Sequence, residues 1–354
     1  MHDVIVVGAG PAGSYAAYRC AALGLDTLLL ERSRLPRKKA CGGVTSKVLE
    51  SFCGKEISEI AECQGDGNKL FYDYKEIGFQ DKKKLFFKRD KLDYFITQMA
   101  EGAGCKIRDG EGAQSISIKE DRVTVTTQEN EYSSHIVIGG DGAYSMVGRS
   151  VGLVNDRKRF YAAICAEVEI DKASNDEMAE FGQSNHQHTH FFSDLLGFAW
   201  LIPKRTSVNI GMGALMEKSL DLKDKFRAFT ARFGVDENTK TSGHLIPYKP
   251  LQRVYSERVL LVGDAGGFVN PWNGCGIDLG VESAKHAGDV CKMAVDEGNF
   301  SRPFLSKYEE LMSPVLTKLT FKSNAIALLD NMTPKNFVMT ALGEVFVKHL
   351  ARFA

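Results

Sequence analysis

Six residues near the start of the chain, Gly8-Ala9-Gly10-Pro11-Ala12-Gly13, have the types and spacing that hold a pyrophosphate. Gly8 permits a tight turn, Gly10 lets the backbone approach phosphate oxygens, and Gly13 lets a following helix pack closely on the preceding strand. The first N–H groups of that helix, together with the positive end of its dipole, then face the anion. Glu31 stands where a carboxylate accepts hydrogen bonds from ribose hydroxyls. A glycine turn of this kind is weak evidence alone. Here it is flanked by the apolar run Val4-Ile5-Val6-Val7, a helical stretch from Ser14 to Leu23 that stops at Gly24, and a second apolar run, Thr27 to Leu30, that closes on Glu31. Together they predict a dinucleotide site in a β-α-β unit.

A second set of reactive types lies further on. Cys41-Gly42-Gly43 follows the basic stretch Pro36-Arg37-Lys38-Lys39, and Phe198-Ala199-Trp200-Leu201-Ile202-Pro203-Lys204 precedes Gly211 by seven residues. His186, His188 and His190 alternate, so on a strand they share one face. Three imidazoles at that spacing invite a metal reading. With no carboxylate in the run, a polar patch on a sheet is favoured, and no metal is expected.

The elements that must position these residues follow from periodicity. Short strands are expected at Leu70–Tyr74 and Lys84–Lys88, then a helix opened by Arg89-Asp90-Lys91-Leu92-Asp93 with Asp90 as its N-cap. Val123–Thr126 and His135–Ile138 read as strands, the second running into Gly140-Asp141-Gly142. Residues 161 to 215 read as an antiparallel sheet, followed by a helix near 218–233. Arg258 to Val262 is another buried strand ending at Gly263-Asp264, and from Ile277 onward the pattern is mostly helical. The expected organisation is a discontinuous dinucleotide-binding domain (1–66, 86–155 and 251–300), a β-rich substrate domain (67–85 and 156–250) and a C-terminal helical segment (301–354). The fold class is α/β.

The order of these segments resembles the aromatic-hydroxylase-like superfamily of FAD enzymes across nearly the whole chain. They are the first glycine turn, the Arg89 helix, Gly140-Asp141-Gly142 with Ser145 and Arg149, then Gly263-Asp264-Ala265-Gly266 and Pro271-Trp272-Asn273-Gly274-Cys275-Gly276-Ile277. Two details resemble the geranylgeranyl reductase family within it: a K-x-C-G-G stretch ending at Gly43, and a YxWxFPKxxxxxxG motif from Phe198 to Gly211. Phe198 and Ile202 are conservative departures from that motif. Gly266-Gly267 stands where alanine-glycine is common, and the C-terminal part is short for the family, which leaves the length of the substrate open.

The resemblance implies a Rossmann-like FAD-binding domain of para-hydroxybenzoate-hydroxylase type with an inserted antiparallel sheet and C-terminal helices. It implies FAD as cofactor, held by Gly8, Gly10, Ala12, Gly13, Glu31, Arg32, Cys41, Gly42, Gly43, Arg89, Ala113, Asp264, Gly274, Gly276 and Ile277. Asp264 at a strand end suits a bond to the ribitol, and the N–H groups of Gly276 and Ile277 suit the N1/C2=O side of the flavin. It also implies reduction of carbon–carbon double bonds in a polyprenyl chain. An isolated alkene is a poor hydride acceptor, so a proton must reach one carbon as hydride leaves flavin N5 for the other, from a donor within about 3 Å or through one water. Cys41 is the candidate donor, with Trp200 and Phe198 positioning the chain. The ordinary alternatives are a small buried thiol and a core indole on a strand.

Composition limits the partners. Lys plus Arg equals Asp plus Glu at 45 each, so no global field draws the chain to nucleic acid or an anionic membrane. The eight cysteines contain no C-x-x-C pair, which fits reduced thiols in a cytosol. No leader peptide and no membrane span is read. Expected partners are a prenyl lipid or prenyl diphosphate, and an electron donor that is NAD(P)H or a small carrier such as ferredoxin; no second nicotinamide fold is visible. The apolar C-terminal positions, Leu316 through Leu350, read as helices on the core, with shallow contact at the inner face of a membrane as a second reading. An FAD monooxygenase or halogenase, or a flavin electron-transfer protein, are the competing functions. The halogenase WxWxIP motif is matched only in part, because its first Trp is absent and a Lys follows the Pro.

Overall fold

A computed structural model describes residues 1–154, 160–172 and 176–331. The chain divides into two compact units. The first comprises Met1–Lys38, Asp90–Asp156 and Pro247–Lys322; the second comprises Lys39–Arg89, Arg157–Ile246 and Ser323–Ala354.

In the first unit, strands Val259–Leu261, Glu131–Gly139, His2–Val7, Thr27–Glu31 and Lys106–Asp109 lie side by side and parallel. Their inner residues are apolar without alternation, as expected of strands covered on both faces; Val4, Ile5, Val6, Val137 and Leu260 are fully buried. Register sets the site. Val7 pairs with Leu30 on one side and Gly139 on the other, and Gly139 pairs with Leu261. Three strands therefore end level, and the chain leaves them through Gly8, Gly140 and Gly263 at the carboxyl edge, where ligands bind in open parallel sheets.

The helix Pro11–Ala22 starts with proline in its first turn, where the missing N–H costs nothing. It packs on the long helix Ile277–Glu297 because small residues allow close approach. A Cβ on Gly280 would lie 3.2 Å from Ala12 Cβ, and one on Gly288 would meet Arg19 at 2.6 Å. An Arg19–Asp289 ion pair of 2.6 Å closes the far end.

The second unit is built on a seven-stranded sheet in the order Thr241–Pro247, Phe160–Glu169, Ser207–Leu215, Leu195–Pro203, His186–Phe192, Gly67–Tyr72, Lys75–Gln80. Residues along each strand face alternate sides. Ala199, Leu201, Val208, Ile210 and Met212 share a core with Leu222, Phe226, Phe229 and Phe233; the first three of these lie on or beside the helix Leu222–Ala231. Trp200, Ile202 and Phe198 instead join a cluster with Phe86, Cys165, Ala40, Val44 and Cys63.

Three local expectations are revised. The helix after Phe87 begins at Arg89 itself, and Asp90 lies in its first turn with its carboxylate on the N–H of Lys91, so Asp90 is not the N-cap. The inserted sheet holds one parallel pair, His186–Phe192 with Gly67–Tyr72, since these two strands are joined through the first unit rather than by a hairpin. The histidines are not a polar patch. His188 meets Phe181 at 4.5 Å and His190 stacks on Phe71 at 4.3 Å, because this face is closed over by helices. Among the described residues no group of three candidate ligands could hold a metal. Of the C-terminal apolar positions, Phe337, Val338, Leu342, Val345, Phe346 and Leu350 lie outside the described residues. Within them no helix is long and apolar enough to cross a membrane.

The buried imidazoles make stability pH-dependent. Burial, first of all, pulls His188 down to about 4 and His190 to about 3, with neighbouring Lys69 and Arg232 adding to it. The unfolded chain then binds protons that the folded one refuses, so stability is complete above the ordinary value of 6.5 and falls as pH drops toward 4. Both ring nitrogens of His190 lack a hydrogen-bond partner, which costs about 1 kcal/mol or more. His190→Phe is expected to raise the melting temperature at neutral pH and to flatten its decline between pH 6.5 and 5. Melting curves across that range check it; an unchanged acid slope contradicts it.

Candidate active site

The first unit brings eleven of the expected cofactor residues into one place or beside it. Around the opening turn the fit is steric. A Cβ on Gly8, at φ +99°, would meet the Gly140 carbonyl oxygen at 2.6 Å, and one on Gly13 would meet the Gly8 oxygen at 1.8 Å. Gly10 is different: the nearest protein atom to its missing Cβ is an Arg37 guanidinium nitrogen at 3.9 Å. The space above Gly10 is thus kept for something other than protein.

Glu31 is buried, and its Oε2 accepts the N–H of Ala9 at 2.9 Å while Oε1 accepts that of Ser33 at 3.0 Å. Arg32 next to it is exposed. The N–H of Glu111 donates to the Glu31 carbonyl at 2.9 Å, which carries Gly112 and then Ala113 past the same strand tip. At the other end, a Cβ on Gly263 would lie 2.7 Å from Ala12, and one on Gly276 would lie 3.2 Å from Asp264 Oδ1. Gly274 supports the turn before Ile277 with φ +68°. The Gly140-Asp141-Gly142 turn is tied down by Asp141 Oδ2, which accepts from the Met146 and Val147 N–H groups. Its Oδ1 is buried with no partner, and burial pushes the carboxyl above the usual range.

Sequence reasoning missed Arg37. Its guanidinium lies 3.0 Å from Asp93 Oδ2 and 3.4 Å from Glu31 Oε2. It is shared between two buried carboxylates beside a turn shaped for an anion. A charge-assisted hydrogen bond is worth about 1.5–3 kcal/mol, so Arg37→Met is expected to weaken FAD binding by about tenfold or more. Titration of the apoprotein with FAD, followed by flavin fluorescence, measures this. Unchanged affinity removes Arg37 from the cofactor site.

Cys41, Gly42, Gly43 and Arg89, together with Phe198 and Trp200, belong to the second unit. Arg89 is buried at the head of its helix. The Cys41-Gly42-Gly43 turn is pressed onto the Leu195–Pro203 strand. A Cβ on Gly42 would lie 2.5 Å from Ile202 Cδ1 and 3.6 Å from Trp200 Nε1. The Trp200 indole N–H donates to Asn209 Oδ1 at 2.8 Å, and Asn209 Nδ2 donates to Glu167 at 2.9 Å. Phe198 lies 5.9 Å from Trp200, ring centre to ring centre. Cys41 is half-buried. Two further thiols stand close by; burial pushes Cys63 and Cys165 each up to about 11, which keeps both protonated. Asn209 and Glu167 carry no motif, and only the strand register reveals them.

A family description, "FAD binding domain", matches residues 1–323. Digeranylgeranylglycerophospholipid reductase 2 of Methanopyrus kandleri is 30% identical over 350 residues, covering 90% of this chain and 84% of that one. The chain belongs to the FAD-binding flavoproteins, in the geranylgeranyl reductase family. It is an FAD-dependent oxidoreductase, and Gly10, whose missing Cβ has no protein atom nearer than 3.9 Å, leaves room at the opening turn that fits such a cofactor. Among solved structures, a geranylgeranyl bacteriochlorophyll reductase-like protein from Thermoplasma acidophilum superposes with TM-score 0.80 at 21% identity, covering 100% of this chain and 99% of its own. A probable FAD-dependent monooxygenase from Pseudomonas aeruginosa gives 0.72 at 18%, covering 95% and 98%. At such identities the likeness is one of fold, and fold alone does not choose between reductase and monooxygenase.

Proposed function

We propose that the chain reduces carbon–carbon double bonds of a prenyl chain of geranylgeranyl type. The observation that carries this reading is the seating of the Cys41-Gly42-Gly43 turn against Trp200 and Ile202, which joins the two stretches that resemble the reductase family. FAD, once reduced, supplies the hydride. Trp200 and Phe198 present an apolar wall to the substrate and exclude water from it. The half-buried Cys41 thiol holds the proton that the second carbon needs, while Gly8, Gly10, Gly13, Glu31, Arg37 and Asp264 bind and orient the cofactor. The donor of electrons is NAD(P)H or a small redox carrier.

The test is anaerobic mixing of dithionite-reduced protein with a panel of prenyl lipids, prenyl diphosphates and prenyl quinones. The expected result is reoxidation of the flavin band and product carrying two hydrogens per double bond saturated. Absence of reoxidation by every member of the panel removes the proposal. Substrate-stimulated oxygen uptake with an oxygenated or halogenated product would replace it by the monooxygenase or halogenase reading.

A further inference from the structure

Lys204 follows the Leu195–Pro203 strand directly, four residues after Trp200. It is 2% exposed, and its ammonium donates to the carbonyl oxygens of Gly42 at 2.6 Å and Phe87 at 2.5 Å. Burying a cation costs several kcal/mol unless it does electrostatic work in return. Two carbonyl oxygens alone could be satisfied by a neutral amide or a hydroxyl. Burial pulls the ammonium below the ordinary lysine range, and the carboxylate of Glu167 pulls it back.

The geometry of the turn gives that charge a route. The Gly42 carbonyl and the Gly43 N–H are opposite ends of one planar peptide unit. That N–H donates to Cys41 Sγ at 3.3 Å. The Gly43 carbonyl in turn accepts from Phe87 N–H at 2.8 Å, so the ammonium, Phe87 and the turn form a closed set. Gly43 has φ +71°, and a Cβ there would meet the Phe87 oxygen at 2.0 Å. The backbone that follows Cys41 is therefore held in one conformation. A cation on an amide oxygen draws electron density along the amide and strengthens its N–H as a donor.

We propose that Lys204 is a positioning residue that acts on Cys41 through the Gly42–Gly43 peptide, holding the sulfur in place and favouring negative charge on it. This deepens the reading of Cys41 as proton donor, on which its functional meaning rests, since a thiol gives up its proton more readily when the sulfur left behind is stabilised. The thiolate is also the form that reacts with alkylating agents, and this makes the idea measurable without turnover.

The experiment compares FAD-loaded wild type, Lys204→Gln, Lys204→Arg and a Cys41→Ser control. Each is treated with iodoacetamide at neutral pH, and each cysteine is followed by peptide mass spectrometry. Cys41 alkylation is expected to slow about tenfold in Lys204→Gln, the loss of one charge-assisted interaction, and to recover largely in Lys204→Arg. The fully buried Cys20 and Cys291 are expected to stay unreactive throughout. A purely structural lysine gives the opposite sign: Cys41 then speeds up in Lys204→Gln, together with the buried thiols. That result, or a wild-type rate with the buried thiols still protected, overturns the proposal. Should Lys204→Gln fail to fold, wild type decides alone: Cys41 is expected to react faster than free cysteine, and a slower reaction overturns the inference. No substrate is needed, so failure of the prenyl panel leaves this result standing. Prenyl turnover with an unaltered Cys41 rate in Lys204→Gln removes the lysine's role and nothing else.

Discussion

A Gly13→Val protein is expected to come off the column colourless and to take up FAD at least a hundredfold more weakly than wild type. The Cβ at this position would lie 1.8 Å from the Gly8 carbonyl oxygen and 3.7 Å from Gly140. Both contacts are backbone, so no side chain can swing away. The helix Pro11–Ala22 must then lift off the strand His2–Val7, and its first N–H groups no longer converge on one anion. A hundredfold is about 2.7 kcal/mol, modest for the loss of such an arrangement. Gly10→Ala is the informative companion. Its φ is −79°, which alanine adopts freely, and the nearest protein atom to the added methyl is an Arg37 nitrogen at an unstrained 3.9 Å. The melting temperature of its apoprotein is expected to match wild type while FAD affinity falls, because the methyl occupies the cofactor's space. Absorbance at the flavin band per mole of protein, with fluorescence titration, reads both variants. A yellow, fully loaded Gly13→Val protein would falsify the account of the turn.

Gly211→Val is expected to leave FAD bound and to cut turnover about a hundredfold, the size seen when a reacting group is misplaced by about 1 Å. Gly211 pairs across the sheet with Trp200, and the indole lies directly over it. An added Cβ would stand 2.2 Å from Trp200 Cζ2 and 2.8 Å from Nε1. The ring must tilt away, which breaks the 2.8 Å bond to Asn209 Oδ1 and leaves both polar groups searching for partners. Gly211 lies in the second unit and the glycine turn in the first, so cofactor content is measured alongside turnover. Near-ultraviolet circular dichroism is expected to report the displaced indole, and steady-state kinetics with a prenyl substrate the lost rate. Turnover within twofold of wild type, with the indole signal moved, excludes Trp200 from the reacting centre.

These two glycines were visible in the sequence for different reasons. Gly13 belongs to a turn whose demands are local: strand, glycines and helix follow one another within six residues, and steric exclusion acts between neighbours in the chain. Gly211 was visible only through resemblance to the reductase motif, because its requirement comes from a side chain on the adjacent strand. Lys204 was quoted within that motif, yet its task could not be read there. Its acceptors, Gly42 and Phe87, lie 162 and 117 positions away.

The same distinction covers the chain as a whole. Apolar runs of uniform character and glycine turns at strand ends determine by themselves a parallel sheet whose glycine turns gather at its carboxyl edge. What the chain could not announce is which polar side chains meet across it. Arg37 reaches Asp93, Asn209 joins Trp200 to Glu167, and His188 and His190 turn into a closed aromatic layer instead of toward solvent. Backbone sterics and burial periodicity are short-range and leave their mark on adjacent residues. A hydrogen bond between distant segments leaves none, because many polar residues could make it and only register and packing select the one that does.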